Sequence, residues 1–419
     1  MPAKILTKTF RKGGMCLTED SSSPNRKIHY MFNKKLHRTE TTSHPLLRKG
    51  LGRPSTDEGG LLTRTECDAM RGIAILGIFL HNFCHWLSPV VKENEYQYFQ
   101  HHVDWFNDVM SRPWNELTLF HILSFFGHYG VPVFLFLSAY GLVKKYESPS
   151  NSSVSSNNPS ALSFIGYHWK KLFRMMIVGF VAFTMVDAIT PGQHHYAVMD
   201  IIAQMGLFNN LLPHPDDIIW PGPYWFFGLM IQLYIVYRLL LYRRHWAWVV
   251  GLTAVCCIVQ LSCPPESEAL NRWRYNFIGG MLPFGAGLLY AKYMKPVHPA
   301  LSAVLFLVSM AAQRFMSLNY YTWYIVPLFV CSACIGFVRF IGWSGKYNKL
   351  SQWIINRLSW MGSISAALFV CHPITRKIFI PISRSGDYWT GLLLYAIASV
   401  CLAWLFRELM KKIPSPKLK

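Results

Sequence analysis

The sequence predicts an all-α polytopic bundle of about ten membrane-crossing helices, each needing roughly twenty apolar residues, and three observations predict it. Apolar residues make up 52% of the 419 and charged residues only 15%, against roughly 25% charged in an ordinary soluble domain. Apolar runs of spanning length recur along the chain after a polar start. Lysine and arginine gather in alternate connections between those runs, as expected when one side of the membrane collects positive charge.

Residues 1–64 are rich in Lys, Arg, Ser and Thr and show no sustained period. Such a segment buries too little apolar surface to fold alone, so a disordered basic tail is expected. It has no charged stretch leading into a cleavable apolar core, so it does not read as a signal peptide. It fits equally a genuine tail or upstream sequence translated from a misassigned start. The membrane domain is expected over 65–412, with 413–419 as a short basic end.

Within that domain the apolar runs fall at 69–88, 117–143, 172–190, 224–241, 246–262, 277–290, 300–316, 320–340, 358–380 and 390–406. The first contains MRGIAILGIFLHNFCHW; the third follows Lys170 and Lys171 and holds Arg174 near its start; the fourth begins with the aromatics Tyr224 and Trp225. The sixth is short for a span, and 196–212 suits a re-entrant or interfacial helix. Lys144 and Lys145, Arg243 and Arg244, Lys292 and Lys295, Lys346, Lys349 and Arg357, and Arg407, Lys411 and Lys412 all fall on the side of the N-terminal tail. The opposite connections, 93–116 and 194–217, carry acids and histidines, with Arg272 and Arg274 against the trend. This pattern predicts an integral membrane protein with both termini cytoplasmic.

The formal charge of +20 does not point to nucleic acid, because no basic face alternates with stacking aromatics. Cys84, Cys256, Cys257, Cys331, Cys334, Cys371 and Cys401 sit in apolar runs, where a thiol packs as a small hydrophobe. Cys331-Ser-Ala-Cys334 has metal-like spacing but no second ligand pair, so no metal site is expected.

Polar side chains inside the runs carry the functional signal. At about 1.5 Å per residue, His81 lies roughly 15 Å along the first helix from Arg71. The arginine then sits at the cytoplasmic mouth and the histidine at mid-depth of one shared cavity. Arg71 alone fits a snorkelling anchor equally well, whereas a mid-membrane histidine is by default a functional group. Gln232, Tyr234 and His372 lie at similar depth below the interface aromatic Trp225 and suggest a polar chamber, each being equally readable as an interhelical bond. Lys144, Lys145, Lys171 and Arg174 with Arg71 could surround an anionic molecule, or supply only positive-inside bias.

These segments in this order resemble the acyltransferase 3 family of integral membrane acyltransferases. The likeness runs from about Thr65 to Lys412. Its carriers are Asp68-Ala-Met-Arg71-Gly-Ile-Ala-Ile-Leu, GVPVFLFLSAYG with Ser138 and Tyr140, Lys171-Leu-Phe-Arg174, Tyr224-Trp-Phe-Phe with Gln232-Leu-Tyr234, LPFGAGLLYAKY, and Gly362-Ser-Ile-Ser-Ala-Ala-Leu-Phe-Val-Cys-His372-Pro. The resemblance implies acyl-coenzyme A as co-substrate, acetyl as the commonest group, no tightly bound cofactor, and O-acylation of a carbohydrate or glycolipid such as a surface polysaccharide or lipopolysaccharide. It also implies a bacterial inner membrane, with the lipid bilayer as surroundings.

Under this resemblance Arg71 and the first-helix histidine flank the chemistry. The family's usual spacing falls here on Asn82, one position beyond His81, and His85 follows four residues after His81. His81 is favoured as the base for its depth, with His85 or Asn82 as alternatives; Lys144, Lys171 and Arg174 would hold the donor, and Ser138, Tyr140, Trp225, Gln232, Tyr234 and His372 would line the chamber. The competing reading is a multipass transporter or flippase using the same histidines, against which the lack of visible inverted repeats counts.

Overall fold

The computed structural model describes residues 61–147 and 159–418. Most of the expected tail lies outside them. Its last residues pack with the helices, because Leu61 and Leu62 are buried and Thr63 caps the first helix. That helix, α1 (Arg64–Cys84), opens on a capping box: Glu66 N–H donates to Thr63 Oγ1 at 3.2 Å and Thr63 N–H to Glu66 Oε2 at 2.7 Å. Two otherwise unpaired backbone donors are thereby satisfied.

The second span is broken. It consists of α2 (Thr118–Phe126), a 3₁₀ turn at Gly127–Tyr129, and α3 (Gly130–Tyr146). Pro132 has no N–H to return to the His128 carbonyl, and its ring crowds that carbonyl. Gly127 sits against α1, where a Cβ would collide with the His81 side chain and the Gly77 carbonyl. The break therefore lies against the depth of α1 that carries His81.

The remaining main helices are α4 (Ala161–Ile189), α5 (Trp225–Val236), α6 (Trp246–Leu261), α7 (Phe277–Tyr293), α8 (Pro299–Met316), α9 (Val326–Ser344), α10 (Lys349–Arg384) and α11 (Tyr388–Lys412). Among the described residues no strand occurs, and eight helical segments are long and apolar enough to cross a membrane. Helices α6 and α7, of 16 and 17 residues, coincide with the fifth and sixth expected runs, α6 ending just short of its run and α7 extending past the end of its run, and neither is among those eight. The segment flagged at 196–212 forms a short helix at Val198–Gly206 followed by a 3₁₀ turn at Asn209–Leu211.

Small residues let backbones approach closely, as lipid-embedded packing requires. A Cβ on Gly72 would overlap the Leu358 carbonyl of α10, and one on Gly362 would overlap the Asp68 carbonyl of α1. Gly287 of α7 meets the Phe136 carbonyl of α3, and Gly336 of α9 meets the Ser302 carbonyl of α8. Farther along α1, Tyr395 of α11 donates its hydroxyl to the Phe79 carbonyl at 2.6 Å. Helix α1 is thus fixed at the centre of the bundle.

Candidate active site

Two cavities flank α1, and their linings have different chemistry. The first, a basic basin of about 620 Å³, is lined by Arg64, Arg71, Lys145, Lys171 and Arg407, with Asp68 as its carboxylate. The second, an aromatic chamber of about 320 Å³, is lined by His81, Asn82, His85, His128, Arg376, Glu93, Glu95 and Asp216 among the rings of Trp86, Tyr96, Trp220, Trp225 and Tyr275. Ile78, Phe226 and Phe369 line both. The rings of Phe226 and Phe369 lie 5.2 Å apart between centroids, so these side chains form the partition. The one shared cavity expected for Arg71 and His81 is therefore two: Arg71 faces the basin and His81 the chamber.

His81 is 3% exposed. Its Nδ1 lies 2.8 Å from the Ser124 carbonyl oxygen, which can only accept, so Nδ1 carries the proton. The Nε2 lone pair is left free, 3.9 Å from Glu93 Oε1. Ser124 sits in the last turn of α2 and serves twice, because its hydroxyl donates to the Val91 carbonyl at 2.5 Å. His121 Nδ1 accepts from Val91 N–H at 3.1 Å, and Trp323 Nε1 donates to the Asn94 carbonyl at 3.0 Å. These bonds pin the irregular segment around Glu93. His85, one turn beyond His81, donates from Nδ1 to Glu93 Oε1 at 3.0 Å.

Burial alone would raise the Glu93 carboxyl, but His85, hydrogen-bonded to it, outweighs burial and holds the group below the ordinary carboxylate range. Glu95 behaves oppositely: burial, reinforced by Glu93 and Asp216 and opposed by Arg274 and Tyr96, pushes its carboxyl up to about 8. The folded chain then binds more protons at this site than the unfolded chain between 4.5 and about 8, so stability falls as pH rises through that window. Glu95→Gln is expected to flatten this decline, measured as the thermal midpoint at several pH values across it.

The remaining sequence-based candidates divide. Asn82 lines the chamber and accepts from Arg376 Nη1 at 3.2 Å through Oδ1. Trp225 is a chamber wall, whereas Ser138, Tyr234 and Lys171 line the basin. Arg174 does not: it donates to Ser415 Oγ at 2.5 Å and to the Met410 carbonyl, tying α4 to the C-terminal segment. Lys144 is exposed and lies over the Tyr140 ring at 5.5 Å; the adjacent Lys145 lines the basin instead. Tyr140 is buried against the chain start, with its hydroxyl 3.3 Å from Leu62 N. Gln232 is an interhelical tie, donating to Asn276 Oδ1 at 2.7 Å and accepting from Phe277 N–H at 3.0 Å. His372 has no exposed surface and bonds the Leu368 carbonyl on its own helix at 3.0 Å. None of these last five lines the basin or the chamber.

The sequence reading missed Glu93, Glu95, His128, Asp216 and Arg376. Glu93 lies eight residues after His85 in a segment without regular structure, where no helical period flags it. His128 stands in the apolar run GHYGVPV and was open to the same argument as His81. His81, His85 and Glu93 also bring one ligand atom each within 4.8 Å of one another, a set with the donor types of a transition-metal site.

A family model described as an acyltransferase domain, that of the acyltransferase 3 family, matches residues 64–408. No curated protein matches the chain, nor does any solved structure.

Proposed function

The chain belongs to the acyltransferase 3 family, and from that premise we propose that it moves an acyl group from acyl-coenzyme A, acetyl foremost, to a hydroxyl of a carbohydrate or glycolipid. It is a membrane acyltransferase; donor and acceptor are the proposal. One observation carries it: a basic basin and a neutral imidazole-bearing chamber meet at a partition of just three shared side chains, Ile78, Phe226 and Phe369.

The phosphates of the donor would lie among Arg71, Lys145 and Lys171, because guanidinium and ammonium groups suit phosphate oxygens. The pantetheine arm would follow α1 for the roughly 15 Å between Arg71 and His81 and present the thioester between Phe226 and Phe369. This separation supports a phosphate role for Arg71 over polarisation of the thioester. On the other side of the partition, an acceptor hydroxyl would give its proton to His81 Nε2 as its oxygen attacks the thioester carbon. The carbon–sulfur bond breaks, and the departing sulfur takes the proton back from His81 to leave coenzyme A as a thiol. Glu93 would stabilise the transient imidazolium, and Ser124 would hold the ring. General base catalysis of this kind contributes about 10²–10⁴-fold.

The test uses the purified chain in nanodiscs with radiolabelled acetyl-coenzyme A and a glycan extract. Label in glycan, matched by released thiol, is expected. Movement of glycan across the bilayer without ester formation would defeat the reading. In the same assay Arg71→Ala is expected to raise the donor KM by about 10- to 100-fold, the equivalent of one charged hydrogen bond of about 1.5–3 kcal/mol, with kcat little changed.

A further inference from the structure

The two cavities carry opposite charge. Five cations and one carboxylate line the basin, whereas Glu93, Glu95 and Asp216 line the chamber against a single guanidinium, Arg376. That guanidinium is already committed: it lies over the Trp86 ring at 5.1 Å and donates to the carbonyl and side-chain oxygens of Asn82. Glu93 is paired with His85. Asp216 accepts from Asn271 Nδ2 at 2.7 Å and from the Tyr275 hydroxyl. A further anion would enter beside the Glu93 and Asp216 carboxylates with no uncommitted guanidinium or ammonium group in the lining to meet it.

A second, independent feature points to a ligand. His128 is 5% exposed and lines the chamber, its ring 5.6 Å from that of His81. Neither of its ring nitrogens has a hydrogen-bond partner. A buried polar group left so costs about 1–3 kcal/mol, and a bound hydroxyl or amine would relieve it. The flat faces of Trp86, Trp220, Trp225 and Tyr96 suit the C–H faces of a sugar ring, and about 320 Å³ is at the small end of ligand pockets.

We propose that the chamber binds an uncharged or amine-bearing sugar residue through His128, Glu95 and Asp216, and excludes sugars bearing a carboxylate or phosphate. It deepens the acyl-transfer reading and rests on it only in that this sugar supplies the acylated hydroxyl. Like-charge juxtaposition at a buried site suppresses wrong partners. The same partition of charge keeps the donor phosphates in the basin, so that only the uncharged acyl end reaches His81.

Tryptophan fluorescence of the intact protein in nanodiscs, titrated with methyl glucoside, glucosamine, glucuronate and glucose 6-phosphate, tests this. The first two are expected to bind at least about tenfold more tightly than the last two, a difference of about 1.4 kcal/mol. Asp216→Asn is expected to narrow that gap, and His128→Phe to weaken binding of the preferred sugars. Anionic sugars binding as well as neutral ones, or no binding by any of the four, would overturn the proposal. Discrimination without acyl transfer would leave this site standing and defeat the enzyme reading; acyl transfer to a uronate-bearing acceptor would do the reverse.

Discussion

Replacing His81 by glutamine is expected to reduce acyl transfer by about 10²–10⁴-fold, the usual contribution of a positioned general base, while leaving the donor KM within about a factor of 3, well under one charged hydrogen bond. Glutamine is the informative substitution because its amide can still donate to the Ser124 carbonyl, 2.8 Å from Nδ1 in the native chain, yet it supplies no base. His85→Gln is expected to cost less. His85 points Nδ1 at Glu93 Oε1 at 3.0 Å, so it orients the carboxylate. Initial rates of thiol release and glycan labelling would separate the two, and an active His81→Gln beside an inactive His85→Gln would exchange their roles. Incubation with EDTA is expected to leave the rate unchanged, because the mechanism needs the Nε2 lone pair of His81 free. Loss of activity on chelation, restored by zinc, would instead assign His81, His85 and Glu93 to a metal.

The second large effect is structural. Gly362→Leu is expected to destabilise the protein by about 3 kcal/mol or more, at or beyond the upper end of ordinary overpacking, because a Cβ at this position would overlap the Asp68 carbonyl. The obstacle is backbone, which cannot rotate aside as a flexible side chain can. Gly72 packs in the same way on the Leu358 carbonyl, so α1 and α10 would have to separate where they cross. That separation would displace Arg71 and, farther along α1, His81. Gly251→Ala supplies the control, since nothing lies within 4 Å of a Cβ there and alanine favours a helix over glycine by about 1 kcal/mol. Thermal unfolding monitored by size-exclusion in detergent would show a loss for Gly362→Leu and none for Gly251→Ala. A folded Gly362→Leu protein with an unchanged midpoint would refute the close crossing.

Runs such as MRGIAILGIFLHNFCHW and LPFGAGLLYAKY made the all-α bundle legible in the primary structure, because spanning a hydrocarbon layer imposes a length and an apolarity that any window can register. Arg71 and His81 were legible for the converse reason: an ionisable group within such a run is costly. Their separation of roughly 15 Å also followed from the helical rise alone.

Other assignments depended on which side of a helix faces which neighbour. Gln232 and His372 have the same mid-run setting as His81, but Gln232 closes bonds to Asn276 and Phe277 and His372 turns onto its own helix. Arg174 and Lys171 stand three residues apart on α4, yet one binds the C-terminal segment and the other lines the basin. Composition and periodicity therefore determined that this chain is a helical membrane bundle with polar groups at depth along α1. Only the tertiary structure decided that Glu93, His85, His128 and Ser124 converge on His81 and that Ile78, Phe226 and Phe369 divide two cavities of opposite charge, because burial in lipid constrains every residue of a helix locally, whereas convergence depends on rotations and crossings set by glycine contacts between segments far apart in the chain.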